Sequence, residues 1–180
     1  TARTPCLQRE RRSCSVGMIV QKYGGTSMGS LEKIRRVAEK IAKRYREGTS
    51  IAVVVSAMAG ETDKLIKLAT DMSPKPDGRE LDVLVSTGEQ VTVSLLAMVL
   101  KDLGIPARSF LAHQVCIFTD NAHTRARITQ IEYGRLKKAL ESGEVAVVAG
   151  FQGITDGREI TTLGRGGSDT SAVALAAVLK

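Results

Sequence analysis

The residues best equipped for chemistry lie in one ten-residue run, Thr161-Thr162-Leu163-Gly164-Arg165-Gly166-Gly167-Ser168-Asp169-Thr170. Threonines, glycines, Arg165, Ser168 and Asp169 crowd a segment that a simple turn would fill with far fewer polar groups. Glycines let the backbone approach a ligand closely. The run leads into an apolar helix expected from Ala172 to Leu179, with Ser168 and Asp169 placed where a helix is capped. A helix N-terminus offers backbone N–H groups to an anion. Arg165 adds a planar fork suited to a carboxylate or a phosphate. The segment is expected to bind a small anionic ligand.

Other polar segments carry weaker signals. Lys22-Tyr23-Gly24-Gly25-Thr26-Ser27 sets a lysine before two glycines and two hydroxyls. A P-loop instead places its lysine after the glycines, at a helix start. Here Lys22 could direct charge at a phosphate cradled by Gly24 and Gly25, or the segment could be an ordinary strand–turn–helix connection. Ser56 to Thr62 is a loop of small residues whose hydroxyls could bind a ligand or cap the next helix, with capping the default for Thr62. Ser86-Thr87-Gly88-Glu89-Gln90 interrupts an apolar stretch. Burying Glu89 is costly without a partner, so it either receives a substrate ammonium or caps a helix starting there. Arg125 and Arg127 fit a solvated loop. His113 and His123 stand apart and read as ordinary histidines, and no metal-ligand spacing is expected.

These segments need a frame, and the hydrophobic pattern supplies one. Ile19 to Tyr23 reads as a strand. Leu31, Ile34, Val37, Ala38 and Ile41 recur at helical spacing up to Gly48, with Thr26, Ser27 and Ser30 as candidate caps. Ile51 to Val55 and Val145 to Ala149 are apolar runs of the kind buried on both faces of a parallel sheet. Helices are expected over Thr62–Met72, over most of Arg79–Leu103 with a break at Ser86–Gly88, and over Ile131–Ser142. Ala107–Thr119 reads as one strand. Asp156-Gly157 marks a hairpin between Phe151–Ile154 and Glu159–Thr162. Strands joined by helices imply an α/β fold, a three-layer α/β/α sandwich around a mainly parallel sheet. Ligands of such sheets bind beyond the carboxyl ends of the strands. Lys22–Ser27, Ser56–Gly60, the loop after Thr119 and Gly150–Gly167 should therefore converge.

With 180 residues the chain can bury a sizeable core. The formal charge is +7, of which Thr1–Gly17 gives +3 through four arginines against Glu10. Only 3% of residues are aromatic, so no nucleic-acid partner is expected. No apolar run is expected to reach membrane-span length, so no membrane partner is expected either. Cys6, Cys14 and Cys116 are odd in number, which fits free thiols in a cytoplasmic setting. Thr1–Gly17 has no apolar core of a secretory signal and reads as a disordered basic tail.

Taken in order and spacing, KYGGTS, VVSAMAGET, STGEQVT, VAGFQG and TTLGRGGSDT resemble the N-terminal part of an aspartate kinase of the amino acid kinase superfamily. The resemblance runs from Met18 to Lys180. It implies transfer of the phosphoryl group of ATP, with Mg2+ bound through the phosphates, to the side-chain carboxylate of L-aspartate. That product, 4-phospho-L-aspartate, opens the routes to lysine, threonine and methionine. A carboxylate is already ionised at neutral pH, so positioning and charge neutralisation do the work. The resemblance gives Lys22 the transferring phosphoryl group and Asp169 the orientation of Lys22. It lines the phosphate loop with Tyr23, Gly24, Gly25 and Ser27, and adds backbone donors at Gly166 and Gly167. Arg165 would hold the substrate α-carboxylate, Glu89 its α-ammonium, and Ser56, Thr62 and Ser168 would hydrogen-bond the amino acid.

The family's catalytic domain continues past the segment matched here, with an aspartate-rich nucleotide segment, and ACT regulatory domains usually follow. The expectation is a C-terminally truncated catalytic domain over 18–180, with little activity alone, an aggregation-prone open sheet edge, and a homodimer in the full-length enzyme. Rival assignments are superfamily kinases acting on glutamate, acetylglutamate, carbamate or UMP. A non-catalytic amino-acid-binding remnant is a rival of another class. Glu89 speaks against the substrates that lack a free amino group.

Overall fold

The computed structural model describes residues 17–179. Cys6, Cys14, the expected tail up to Val16, and Lys180 lie outside the described residues. Four strands, β1 (Met18–Tyr23), β2 (Ser50–Val55), β3 (Ala107–Phe110) and β6 (Val145–Ala149), form a fully parallel sheet in the order β1-β2-β6-β3. Side chains alternate across a strand. Ile51, Val53 and Val55 of β2 accordingly enter one core with Val145, Val147 and Ala149, while Ala52 and Val54 enter a second core with Ala146 and Val148.

Helices cover both faces. The first core is closed by α1 (Leu31–Arg46), through Ile34, Val37, Ala38 and Ile41, and by α4 (Thr87–Asp102), through Val93, Leu96 and Leu100. Ser30 caps α1, its hydroxyl accepting from Lys33 N at 3.2 Å. The opposite core is closed by α5 (Gly134–Glu141) and α6 (Gly167–Val178), which bring in Leu136 and Leu175. The α/β/α sandwich expected from the sequence is the architecture found. Its remaining helices, α2 (Glu61–Met72) and α3 (Gly78–Val85), pack on each other beside the carboxyl ends of the strands.

A second, mixed sheet has the order β5-β4-β7-β8, from β4 (Ile117–Thr119), β5 (Ile128–Ile131), β7 (Gln152–Ile154) and β8 (Ile160–Thr162). The hairpin expected at Asp156-Gly157 joins β7 to β8. Two expectations are corrected here. Ala107–Thr119 is two strands in different sheets, separated by a turn in which Leu111 N donates to the Gln114 side chain at 2.9 Å and Cys116 has φ 47°. Ile131 ends a strand rather than starting a helix, because Ile128–Ile131 pairs antiparallel with β4.

The break expected at Ser86–Gly88 is also slighter than a loop. Ser86 keeps helical angles, φ −63° and ψ −17°, and the hydroxyls of Ser86 and Thr87 bond back to Val83 O and Leu84 O. α3 and α4 thus form one helical run, Gly78–Asp102, of 25 residues, whose most apolar 18-residue window has mean hydropathy 1.6. By length and composition it could cross a membrane, against the expectation that no such run exists. Half of its apolar stretch is buried inside the fold, and it carries the buried carboxylates Asp82 and Glu89.

Candidate functional site

The four segments expected to converge all contribute to one cleft of about 640 Å³, at the carboxyl ends of β1, β2 and β6. Lys22 and Gly25 form one wall, Ser56–Gly60 and Thr62 another, Glu89 and Asp82 the helical side, and Gly164–Asp169 the rim. Thr124, from the loop after β4, closes the ring.

Adjacent strand residues face opposite sides. Lys22 therefore enters the cleft side, where its Nζ lies 2.8 Å from Asp169 Oδ1. The Tyr23 side chain goes the other way, packing against the core under α1 with its hydroxyl donating to Gln21 Oε1 at 3.2 Å. Tyr23 cannot present its ring to a ligand in the cleft. Neither Gly24 nor Ser27 lines the cleft, and Ser27 is exposed, its N–H spent on Gly24 O. Gly24 instead makes room for the lysine, since a Cβ there would lie 3.2 Å from Lys22 Nζ.

The Gly-rich segment differs from its expected form at the helix start. α6 begins at Gly167, five residues before the expected Ala172, so Ser168 and Asp169 occupy its first turn. The N-cap is Gly166, at φ 75°, with no side-chain cap bond. Glycine suits that left-handed position, and the uncapped helix end faces the cleft beside Lys22. Arg165 is exposed between Gly164 (φ 74°) and Gly166 and makes no ion pair among the described residues. Thr62 lines the cleft but does not cap α2, whose N-cap is Gly60.

Glu89 is 2% exposed. Its Oε1 accepts from Ala57 N at 3.0 Å, while its Oε2 has no hydrogen-bond partner among the described residues. It is not a helix cap; it reaches across to the loop after β2. Burial pushes its carboxyl up to about 7, partly offset by backbone hydrogen bonds from Ala57 and Glu89 itself. A buried polar atom left unpaired is expensive. Glu89 lines the cleft, which suits its carboxylate to a cationic ligand group.

Asp82, Thr124 and Phe151 are among the cleft residues not singled out from the sequence. Asp82 is fully buried and meets His123, Thr124 and Thr162. Its signal was its spacing: with Val85 and Glu89 it falls on one buried helical face. Thr124 sits in a charged loop that gave no such cue. Phe151 has φ 69°, a conformation that costs a bulky residue on the order of 1–3 kcal/mol. His123 is partly buried against Asp82 rather than solvated, whereas His113, Arg125 and Arg127 are exposed. Among the described residues no group of three His, Cys, Asp or Glu side chains is placed to hold a metal ion.

A parallel sheet with a lysine at the end of its first strand, and a Gly-rich loop opening a helix beside it, defines an α/β domain with a cleft at the carboxyl ends of its strands. The description of the amino acid kinase family matches residues 17–180, and the chain belongs to that family. It is 58% identical over 165 residues to the aspartate kinase of Stutzerimonas stutzeri, covering 92% of this chain and 40% of that relative. It is 56% identical over 164 residues to the aspartokinase of Thermus thermophilus, covering 91% and 40%. Among solved structures, aspartate kinase from Synechocystis superposes with a TM-score of 0.76 at 49% identity, covering 90% of this chain and 26% of that one. E. coli aspartokinase III, in complex with aspartate and ADP, shares the fold at a TM-score of 0.79 and 23% identity, covering 91% and 47%. The chain thus spans 40% of the length of these curated relatives.

Proposed function

We propose that this chain forms the amino-acid half of an aspartate kinase catalytic domain, with residues 18–180 as its first part and the protein in the cytoplasm. The full-length protein would be a homodimer that phosphorylates the side-chain carboxylate of L-aspartate. The observation that carries the substrate assignment is Glu89: a buried carboxylate with one oxygen unpartnered among the described residues, lining the same cleft as Arg165, which makes no ion pair among them. An α-amino acid brings an ammonium for one and a carboxylate for the other. Ser56, Thr62 and Ser168 line the space between and would hydrogen-bond the amino acid.

The phosphate side also fits. Lys22 and the uncapped start of α6 at Gly166 and Gly167 stand together at the cleft, where phosphate oxygens would meet an ammonium and a helix N-terminus. ATP supplies the transferable phosphoryl group, and Mg2+ would be carried on the phosphates. Lys22 offsets the charge on the moving group, and Asp169 holds the lysine in place. The acceptor carboxylate is ionised at neutral pH, so no side chain must remove a proton. The contribution of the protein is alignment of two anions that would otherwise repel.

The test is direct. Full-length protein with MgATP and hydroxylamine should trap an acyl phosphate from L-aspartate. N-Acetyl-L-glutamate, carbamate and UMP should give nothing, and L-glutamate should be much poorer. Equal turnover of L-glutamate, or none of L-aspartate, would overturn the assignment.

A further inference from the structure

We infer that Asp82 is a positioning residue that sets the anion-binding rim of the cleft, with His123 as its outer brace; this rests on the cleft being the substrate site. Asp82 is fully buried on α3. Its carboxylate accepts from Thr162 Oγ1 at 2.5 Å and from Thr124 N at 3.0 and 3.1 Å, and His123 Nδ1 lies 2.8 Å from Oδ2. These partners come from two segments distant in sequence, the loop after β4 and the end of β8.

The two segments also hold each other. Ala126 N donates to Thr162 O at 2.8 Å. Gly164 packs so closely on the loop that a Cβ there would lie 3.2 Å from Thr124 O and 3.7 Å from Arg125 Cα. Arg165 follows at once. A single carboxylate thus anchors to α3 both the loop after β4 and the end of β8, the strand that leads to Arg165. That same helical run carries Glu89 one register further on, at the cleft. Asp82 therefore fixes the spacing between the side that would take the ammonium and the side that would take the carboxylate. Leaving such a buried group mispaired is costly, and here the cost falls on cleft geometry.

The experiment uses the full-length protein and two variants. Asp82→Asn keeps shape but places an amide N–H₂ among donors. His123→Ala lies outside the cleft lining and removes the imidazole that meets Asp82 Oδ2. For Asp82→Asn, KM for L-aspartate should rise about tenfold or more, with kcat changed much less. His123→Ala should give a smaller rise in the same parameter. The double variant should be no worse than Asp82→Asn alone, since both act on one network. A structural role alone would lower the active fraction and leave KM unaltered.

Amide hydrogen exchange supplies a readout free of substrate. Exchange should quicken in 120–127 and 161–167 of Asp82→Asn and stay unchanged in β2. Unchanged KM with unchanged exchange in those segments would overturn the inference, as would additive effects of the two variants. If Asp82→Asn does not fold, His123→Ala alone decides, by the same KM and exchange criteria. Should the unaltered protein fail to phosphorylate L-aspartate, the substrate assignment falls, and exchange still decides the role of Asp82.

Discussion

Asp82 and Glu89 stand seven residues apart on one face of a single helical run, both buried, and their carboxylates are provided for in opposite ways. Asp82 is surrounded by groups from three residues. Glu89 has one backbone donor, Ala57 N, and an orphan oxygen. Burial raises the Glu89 carboxyl from 4.5 to about 7. Between those values the folded chain holds a proton that the unfolded chain has released. Stability of the unliganded protein should therefore fall as pH rises from about 4.5 to about 7, by up to about 3 kcal/mol. Thermal melts of the unaltered protein and Glu89→Gln across that window check this. The variant should lack this part of the pH slope; identical slopes would mean that Glu89 does not carry it.

A cationic ligand reverses the preference, because an ammonium beside Oε2 favours the charged carboxylate. L-Aspartate affinity should rise as pH climbs through about 7 and then level off. Glu89→Gln should bind about 10–100-fold more weakly, with a flatter pH profile. Calorimetric titration at several pH values separates the two curves. Binding by the variant that matched the unaltered protein would remove Glu89 from the substrate site.

Lys22 and Asp169 form an ion pair whose aspartate side chain is 68% exposed. Such a pair adds little to stability. Lys22→Ala should therefore leave the melting temperature nearly unchanged while lowering kcat about 100-fold or more. Asp169→Asn should lower kcat less. A large loss of stability in Lys22→Ala, with kcat retained, would make the pair structural.

The sheet was legible because its strands are extreme in composition. Ile51–Val55 and Val145–Ala149 carry no polar residue, and both faces are buried. The cleft loops were legible because glycines and hydroxyls cluster directly after those strands. The second sheet was harder to see. Three-residue strands such as Ile117–Thr119 are too short for period-two alternation to stand out, and their pairing depends on partners far along the chain. Asp82 was missed for a related reason. Its partners lie 41, 42 and 80 residues away, so only the fold reveals why a charge sits on an apolar face. Tyr23 was drawn in by its neighbours, although strand alternation already places it opposite Lys22.

Gly25 has no positive φ, yet its surroundings are tight for a side chain. A Cβ there would lie 3.1 Å from Ala57 O, and backbone cannot swing aside. The Ala57 peptide N–H in turn holds Glu89. Gly25→Ala should cost about 1–3 kcal/mol of stability and raise KM for L-aspartate as well. Gly104→Ala is the contrast, with φ 75° in open space far from the cleft. It should cost about 1–2 kcal/mol through backbone strain alone and leave KM unchanged. Equal effects of the two on KM would disprove the coupling from Gly25 through Ala57 to Glu89.

Arg165 stands exposed between two left-handed glycines, with no acidic partner among the described residues to neutralise it. A guanidinium meets a carboxylate through two parallel N–H donors, whereas an ammonium is a point charge. Charge alone would let lysine substitute; fork geometry would not. Arg165→Lys should raise KM for L-aspartate about tenfold with a much smaller change in kcat, because the clamp acts before and during transfer alike. Arg165→Ala should be weaker still and partly recover with added guanidinium. The KM for MgATP should hold steady in both variants, which separates a substrate clamp from a phosphate contact. A rise confined to the MgATP parameter would move Arg165 to the phosphate side of the cleft and leave the α-carboxylate without its partner.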